Sequence, residues 1–339
     1  MKIRVKCILP SMTPECMEDM GDFEAGSVYE WGDIQIINDA ACREYDWLVV
    51  YDDLPKCNVG SICREVEELA CPREQTILVT AEPPTIKLYP RCYTGQFGYV
   101  LTTHDRLYLP HPNYRRGQGC LRWMANYNRE QVLAPTEHAK TKLISTVSSN
   151  KTMKHTQHFN RYQLTSHVAK HLPDLVWYGW GMNPLQKKYE ALDEYKYHLA
   201  IENYLHPYHW SDKISDPILA LCLTFYAGDS ALAEVLPAES IIPIPIDDPP
   251  AALEIIQKAI RDNEYEKRLP AIREARRLIL TKYNLFSQVE AVIRQHTPSP
   301  HSDAEYGRIL GRHRLRRNPF NALQEFGLLM HFRVFNRVK

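Results

Sequence analysis

The stretch from Tyr195 to Lys213, with the sequence YKYHLAIENYLHPYHWSDK, runs from an apolar segment through a polar loop into the start of a helix. Its first residues alternate with a period of about two, which predicts a strand with one buried face. Ser211 is a suitable N-cap for a helix whose first turn presents Asp212 and Lys213. A strand that leads through a loop into a helix is the kind of edge at which open α/β sheets bind nucleotides.

The same alternation of strand and helix patterns extends over most of the chain. In the amino-terminal part it predicts a helix at 61–69, a loop at 109–117 and strands at 3–9, 34–37, 47–51, 76–80 and 99–102. In the following part it predicts helices at 157–171, 249–262 and 264–295 and strands at 143–148, 174–178, 195–201, 223–227 and 241–246. Strands that alternate with helices imply mostly parallel sheets. The sequence therefore predicts an α/β protein with domains 1–138 and 139–295 and a tail at 296–339.

The composition is that of an ordinary globular protein, with 339 residues, 44% of them hydrophobic, and a formal net charge of zero. This length suits two domains, and the neutral charge argues against nucleic acid as the main partner.

The nine cysteines form no C-x-x-C pair, which favours free thiols in a reducing compartment. The opening residues MKIRVK read as a strand rather than a secretory leader, so we expect a cytoplasmic location.

The carboxyl-terminal tail is basic. From His301 onward it holds eight Lys or Arg against three Asp or Glu, with aromatic and aliphatic residues interleaved. One interpretation is peripheral contact with an anionic inner membrane, which would bring the protein to a lipid-linked oligosaccharide. The alternative is a helix packed back on the amino-terminal domain with its arginines solvated.

The segment LAIENY at 199–204, followed by HWSDK at 209–213, resembles the signature of the α1,3-fucosyltransferases, glycosyltransferase family ten, of bacterial type. Three positions depart from that signature. Tyr204 stands where the family has serine, His209 where it has tyrosine, and Asp212 where it has glutamate. The last change keeps the charge but shortens the side chain by one methylene.

Other segments resemble motifs of the same family. Thr80-Ala81-Glu82-Pro83-Pro84 resembles the acidic motif that closes an amino-terminal strand, and Ser148-Ser149-Asn150 precedes Arg161 as in the family. Ala227-Gly228 and the stretch at 236–247 resemble a further block. The resemblance implies the GT-B architecture, in which two Rossmann-like domains face a cleft. It also implies that residues 1–138 bind the acceptor and 139–295 bind GDP-fucose.

The resemblance implies an inverting transfer of fucose from GDP-fucose to a glycan that contains GlcNAc or Gal, in the biosynthesis of a lipopolysaccharide O-antigen or in protein glycosylation. Two alternatives stay open. The chain could use another nucleotide sugar on the same fold, or it could be an inactive protein that binds nucleotide sugars.

Glu82 is the candidate general base, since inverting transfer needs a carboxylate to deprotonate the incoming hydroxyl. It follows an apolar strand, and the two prolines after it hold the backbone extended. His104 and His111 are the alternatives for this role.

The departing diphosphate needs positive charge, and no Asp-x-Asp metal motif occurs in the sequence. Cationic side chains are therefore expected to replace a metal, with a divalent ion such as Mn²⁺ at most stimulatory. Lys213, at a helix start, is the first candidate for the diphosphate. Arg161 is the second, with Lys154 and His158 as alternatives. The donor site implied by the resemblance is completed by Ser149, Asn203, His209 and Asp212.

Overall fold

The computed structural model describes residues 2–8, 28–54, 58–59, 62–63, 65–117, 125, 127, 131, 136–153, 156–296 and 306–335. The strands are β1 (Ile3–Ile8), β2 (Val28–Trp31), β3 (Ile34–Ile37), β4 (Trp47–Tyr51), β5 (Asn58–Val59), β6 (Ile62–Cys63), β7 (Val66–Glu68), β8 (Thr76–Val79), β9 (Tyr99–Thr102), β10 (Tyr114–Arg116), β11 (Lys142–Val147), β12 (Leu175–Tyr178), β13 (Tyr195–Ile201), β14 (Leu223–Ala227), β15 (Ile241–Pro243) and β16 (Arg308–Leu310). The α-helices are α1 (Arg91–Thr94), α2 (His158–His171), α3 (Asp212–Leu219), α4 (Pro249–Arg261), α5 (Glu264–Leu278), α6 (Leu285–Arg294), α7 (Arg312–Arg316) and α8 (Pro319–Phe335).

The chain forms two compact units. Unit 1 holds the described residues up to 117 and those from 283 to 335, and unit 2 holds the described residues from 125 to 282. Both units are built on mainly parallel sheets, so the predicted α/β class is confirmed.

Unit 1 has a seven-stranded sheet in the order β10-β9-β8-β4-β1-β3-β2. Neighbouring strands are parallel except β2 and β3, which form an antiparallel pair at one edge. The central strands β4 and β8 are buried along their whole length, as expected for parallel strands covered on both faces. Their inward side chains join a core that includes Leu48, Val50, Leu78, Tyr89, Tyr93 and Val100.

Unit 2 has a five-stranded, wholly parallel sheet in the order β12-β11-β13-β14-β15. The predicted strands of this unit are all present, because each is a short run of β-branched or aromatic residues that is buried between helices. The core includes Ile144, Leu164, Tyr197, Phe225, Ile256 and Ile272.

The predicted helix at 61–69 is wrong, since this segment contains β6 and β7. β7 pairs antiparallel with β16, which places Glu67 opposite Ile309. Glu67 also forms an ion pair with the buried Lys6, at 2.6 Å between Nζ and Oε1. The segment has helix-forming residues, but its partners lie far away in the sequence, so local propensity could not predict the strand. The predicted loop at 109–117 contains the short strand β10.

The predicted helix at 264–295 is divided into α5, a π-helical turn at Ile279–Tyr283, and α6. Asn284 begins α6 as an N-cap, with Oδ1 accepting from the backbone N–H of Ser287 at 2.8 Å. Helix α6 belongs to unit 1, so the predicted second domain of 139–295 ends too late. The helical pattern of the sequence continues across this boundary, so it gave no sign that the chain re-enters unit 1 at Tyr283.

The described part of the tail, 306–335, also belongs to unit 1. Strand β16 pairs with β7, and the backbone N–H of Arg312 donates to Asp53 Oδ1 at 3.1 Å. Phe332 is buried, with its ring centroid 5.1 Å from that of Tyr108. The described part of the tail therefore packs against the amino-terminal residues of unit 1, as the second interpretation predicts. Helix α8 nevertheless exposes Phe320, Leu323, Phe326, Met330 and Val334.

Among the helices that the structure describes, none combines the length and the hydropathy that crossing a membrane requires.

Candidate functional site

The candidate site of unit 2 lies where the parallel strands end. Strand β11 leads through α2 to β12 on one side of the sheet order, and β13 leads through α3 to β14 on the other. The connections therefore diverge between β11 and β13. In doubly wound sheets, ligands bind outside the carboxyl ends of the strands at this switch point.

Arg161 connects the two loops at the switch point. From α2, its Nη1 donates to Asn203 Oδ1 at 2.5 Å, after β13, and its Nη2 donates to Ser149 Oγ at 3.3 Å, after β11. Arg161 is only 5% exposed. Burial lowers the pKa of its guanidinium and the Glu202 carboxylate opposes this shift. The predicted set of Arg161, Ser149 and Asn203 is thus brought together around one buried cation.

Two buried polar atoms, Nε of this guanidinium and Oγ of Ser148 in the loop after β11, have no hydrogen-bond partner among the described residues. Buried polar groups are normally paired, because leaving one unsatisfied costs about 1–3 kcal/mol. A guanidinium with an unsatisfied N–H at a sheet edge is suited to an anion such as a phosphate.

Glu202 holds the loop after β13 to the start of α3. Its Oε1 accepts from the backbone N–H of Ser211 at 2.9 Å, and its Oε2 accepts from Ser211 Oγ at 2.7 Å. Tyr226 OH donates to Oε1 at 3.4 Å. Burial raises the pKa of Glu202, while Lys213 and the bonds from Ser211 oppose that rise. Glu202 is 1% exposed, so it serves as an anchor for the loop.

Helix α3 begins as the sequence predicts. Ser211 is the N-cap, with Oγ accepting from the backbone N–H of Lys213 at 3.3 Å. The side chain of Lys213 is 23% exposed, and its Nζ lies 3.6 Å from Asp212 Oδ1 and 3.9 Å from Glu202 Oε2. Burial lowers the pKa of Lys213, but Asp212 and Glu202 outweigh it and the pKa is raised. An accessible ammonium is therefore present at a helix N-terminus, where the dipole also attracts anions.

Asp212 has a cationic partner that the sequence analysis missed. Lys188, in the 3-10 turn Lys188–Ala191, places Nζ 2.7 Å from Asp212 Oδ2 and 2.5 Å from Asp216 Oδ2. Burial raises the pKa of Asp212, but Lys188 and Lys213 outweigh it and hold the pKa well below the usual range. Asp216 is fully buried, and a buried carboxylate requires a partner, which Lys188 supplies.

His209 contributes to aromatic packing in the loop before α3. It is 4% exposed, and its ring meets that of Tyr204 edge-on at 5.3 Å between centroids. Tyr204 in turn stacks on His206 at 5.4 Å. The departures from the family signature at Tyr204 and His209 therefore pack against each other.

Glu82 follows β8 in unit 1, at the carboxyl end of a central strand, and it is exposed. Buried side chains hold the backbone on each side of it. His104 Nε2 donates to the Glu82 carbonyl at 2.8 Å, and Ala81 N–H donates to Tyr89 OH at 3.1 Å. Tyr89 OH donates to Asp52 Oδ1 at 2.5 Å, which completes the support. The backbone at Glu82 is therefore held by buried neighbours, while the residue itself is exposed.

The alternative histidines serve other purposes. His104 is 1% exposed, and burial lowers its pKa to about 4. His111 donates from Nε2 to the Phe97 carbonyl at 3.1 Å and accepts at Nδ1 from the backbone N–H of Asn113 at 3.2 Å. His104 is buried and both ring nitrogens of His111 are engaged, so Glu82 is the better placed of the three to meet a substrate.

The sequence also offered two alternatives to Arg161. Lys154 lies outside the described residues. His158 is buried at the start of α2, with Nδ1 2.5 Å from Thr156 Oγ1. In the described ranges no group of three or more His, Cys, Asp or Glu side chains is arranged to hold a metal ion. Independence from metal stays a prediction.

No protein-family model and no curated protein matches the chain. Solved structures do match. An α1,3-fucosyltransferase with GDP-fucose is 13% identical, with a TM-score of 0.53, over 89% of this chain and 93% of that chain. An α1,3-fucosyltransferase with GDP is 13% identical with a TM-score of 0.48, over 90% and 92%. Sucrose-phosphate synthase from Thermosynechococcus elongatus is 10% identical with a TM-score of 0.40, over 87% and 99%. At 13% identity the first of these shows the fold alone. That fold is GT-B, so the predicted architecture is confirmed.

Proposed function

We propose that this chain is an inverting glycosyltransferase that transfers fucose from GDP-fucose to a glycan containing GlcNAc or Gal. The observation that carries the proposal is Arg161, a buried cation between the Ser149 and Asn203 loops at the switch point of unit 2. The fold shared with an α1,3-fucosyltransferase and the signature at 199–213 support the choice of donor.

In this proposal the diphosphate of the donor lies between Arg161 and Lys213. Arg161 offers a planar fork of donors, while Lys213 adds a compact charge at the N-terminus of α3. Ser149 and Asn203 orient the guanidinium and offer polar contacts of their own. As the leaving GDP gains negative charge, both cations stabilise it more strongly than they stabilise the bound donor, which lowers the barrier to transfer. The side chains thus replace a metal.

Glu82 is the proposed base. Its carboxylate takes the proton from the attacking acceptor hydroxyl while the bond between the sugar and GDP breaks, and the anomeric configuration inverts. His104 and Tyr89 bond to the backbone of Glu82 and Ala81, respectively, and so hold the segment from which the carboxylate projects. Unit 1 would accordingly bind the acceptor.

The proposal extends to the biological setting. We propose a cytoplasmic enzyme of lipopolysaccharide O-antigen synthesis, acting on a lipid-linked oligosaccharide. Support for peripheral contact with the inner membrane comes from the exposed apolar residues of α8, among them Phe320 and Leu323, together with the exposed Arg333 of the same helix. Binding to vesicles of anionic lipid, absent with neutral lipid, tests this part.

A thermal-shift panel of nucleotide sugars tests the donor. A ligand that binds only the folded protein raises its unfolding temperature by mass action. We expect GDP-fucose and GDP to raise the unfolding temperature most. A larger shift from UDP or from another GDP sugar would indicate a donor other than GDP-fucose. A different donor would be compatible with the change at Asp212, which stands where the family has glutamate and is paired with Lys188. Binding without turnover on any acceptor would indicate an inactive nucleotide-sugar protein.

A further inference from the structure

Lys188 occupies a central place among the charges at the start of α3. Its Nζ contacts Asp216 Oδ2 at 2.5 Å and Asp212 Oδ2 at 2.7 Å, and it also donates to the Asp212 carbonyl at 3.3 Å. Lys188 arrives from a turn between β12 and β13, whereas both aspartates belong to α3. One side chain therefore fixes both the backbone and the carboxylate at the first position of the helix.

This arrangement determines what the neighbouring Lys213 can do. The Asp212 carboxylate directs one oxygen to Lys188, and its other oxygen lies 3.6 Å from Lys213 Nζ, beyond hydrogen-bond distance. Lys213 also lies 3.4 Å from Ser211 Oγ and 3.9 Å from Glu202 Oε2. The charges alternate from Asp216 through Lys188 and Asp212 to Lys213. Because Lys188 shares the Asp212 carboxylate, the contacts of Lys213 Nζ among the described residues are one long hydrogen bond to Ser211 Oγ and two ion pairs beyond hydrogen-bond distance.

We propose that Lys188 is a positioning residue for diphosphate binding, which shares the Asp212 carboxylate, keeps it from closing to hydrogen-bond distance of Lys213, and so leaves the Lys213 ammonium available to the ligand. This inference rests on the proposed donor site. Without Lys188, the existing ion pair between Asp212 and Lys213 would tighten to hydrogen-bond distance. The uncompensated carboxylate would also repel the diphosphate.

A purely structural role for Lys188 makes a different prediction. In that case its only function would be to neutralise Asp216, which is 0% exposed. Removing one partner of a buried ion pair is strongly destabilising, but removing both is often nearly neutral. A double variant therefore separates the two roles.

The experiment compares Lys188→Met, Asp216→Asn and the double variant Lys188→Met/Asp216→Asn with the wild type. Calorimetry measures affinity for GDP and, as a second probe, UDP, because both carry a diphosphate. Thermal unfolding measures stability in parallel. Lys196→Met is the matched control, since Lys196 also forms an ion pair in unit 2, at 2.5 Å from Glu266, at the opposite end of β13.

We expect Lys188→Met to lower both the unfolding temperature and the affinity. The double variant should recover most of the unfolding temperature but still bind the diphosphate about tenfold more weakly than the wild type, a loss of about 1.4 kcal/mol. Asp216→Asn and Lys196→Met should bind normally.

A double variant that binds as tightly as the wild type would overturn the proposal, because Lys188 would then only neutralise Asp216. A wild type that binds UDP but not GDP would contradict the proposed donor, while the UDP titrations would still decide the role of Lys188. Binding of neither nucleotide would overturn both.

Discussion

The two units differ in how deeply they bury the charged residues that follow the carboxyl ends of their strands. In unit 2 the charges of Arg161 and Glu202 are buried and held by hydrogen bonds. In unit 1 the backbone around Glu82 is held, but its side chain is exposed. A group that binds a permanent anion benefits from being fixed in advance, whereas a group that accepts a proton must meet the substrate. The contrast supports the proposal that unit 2 binds the donor and that unit 1 supplies the group that accepts the proton.

The largest expected effect comes from Glu82→Gln. This change keeps the shape of the side chain but removes its basicity, so turnover should fall by about 10²- to 10⁴-fold. Affinity for GDP-fucose should be nearly unchanged, because the donor site lies in unit 2. Steady-state kinetics and calorimetry measure the two quantities. Glu44→Gln, at an exposed glutamate of the same unit, is the control. Near wild-type turnover in the Glu82 variant would assign the base to another residue.

Lys213→Ala should weaken binding of GDP and GDP-fucose to a similar extent, about tenfold, because in the proposed site its charge faces the phosphates that they share. Calorimetric titration of both ligands measures the change, and Lys196→Ala is the matched control. Unchanged affinity for GDP would show that Lys213 does not contact the diphosphate. A loss confined to GDP-fucose would place Lys213 at the sugar.

Asp216 should give unit 2 a distinctive pH dependence of stability. Burial raises its pKa to about 7, helped by Asp212 and opposed by Lys188. The folded state therefore binds the proton of Asp216 more tightly than the unfolded state does. The resulting contribution to stability is full below about pH 4 and is lost as the pH rises towards 7. Asp216→Asn should therefore gain stability relative to the wild type across that interval, as denaturant unfolding would measure. Asp174→Asn, at an exposed aspartate, should show no such trend. A constant difference for Asp216→Asn would contradict the assignment.

The smallest effect is expected from metal removal. If Arg161 and Lys213 stabilise the leaving diphosphate, transfer should persist in excess EDTA, reduced at most by slower product release. Complete loss of activity that Mn²⁺ restores would contradict this account of the site.

The sequence predicted unit 2 more accurately than unit 1. Its strands are short runs that include β-branched or aromatic residues, and the switch-point residues Ser149, Arg161 and Asn203 belong to the motifs that carry the resemblance. Lys188 could not be found in this way, because its partners in α3 become neighbours only through the fold. Similarly, β7 depends on pairing with β16, and no local pattern records that partner. Residues whose roles depend on distant contacts were the ones missed.

The central claim is that Arg161 is the cation that binds the donor diphosphate. Titration of GDP-fucose into the wild type and Arg161→Met tests it most directly, with Arg268→Met, at a helix arginine paired with Glu264, as the control. The account predicts that the wild type and the control bind alike and that Arg161→Met, with its folding verified by thermal unfolding, binds about 10- to 100-fold more weakly. A folded Arg161→Met protein that binds GDP-fucose with wild-type affinity would contradict the account.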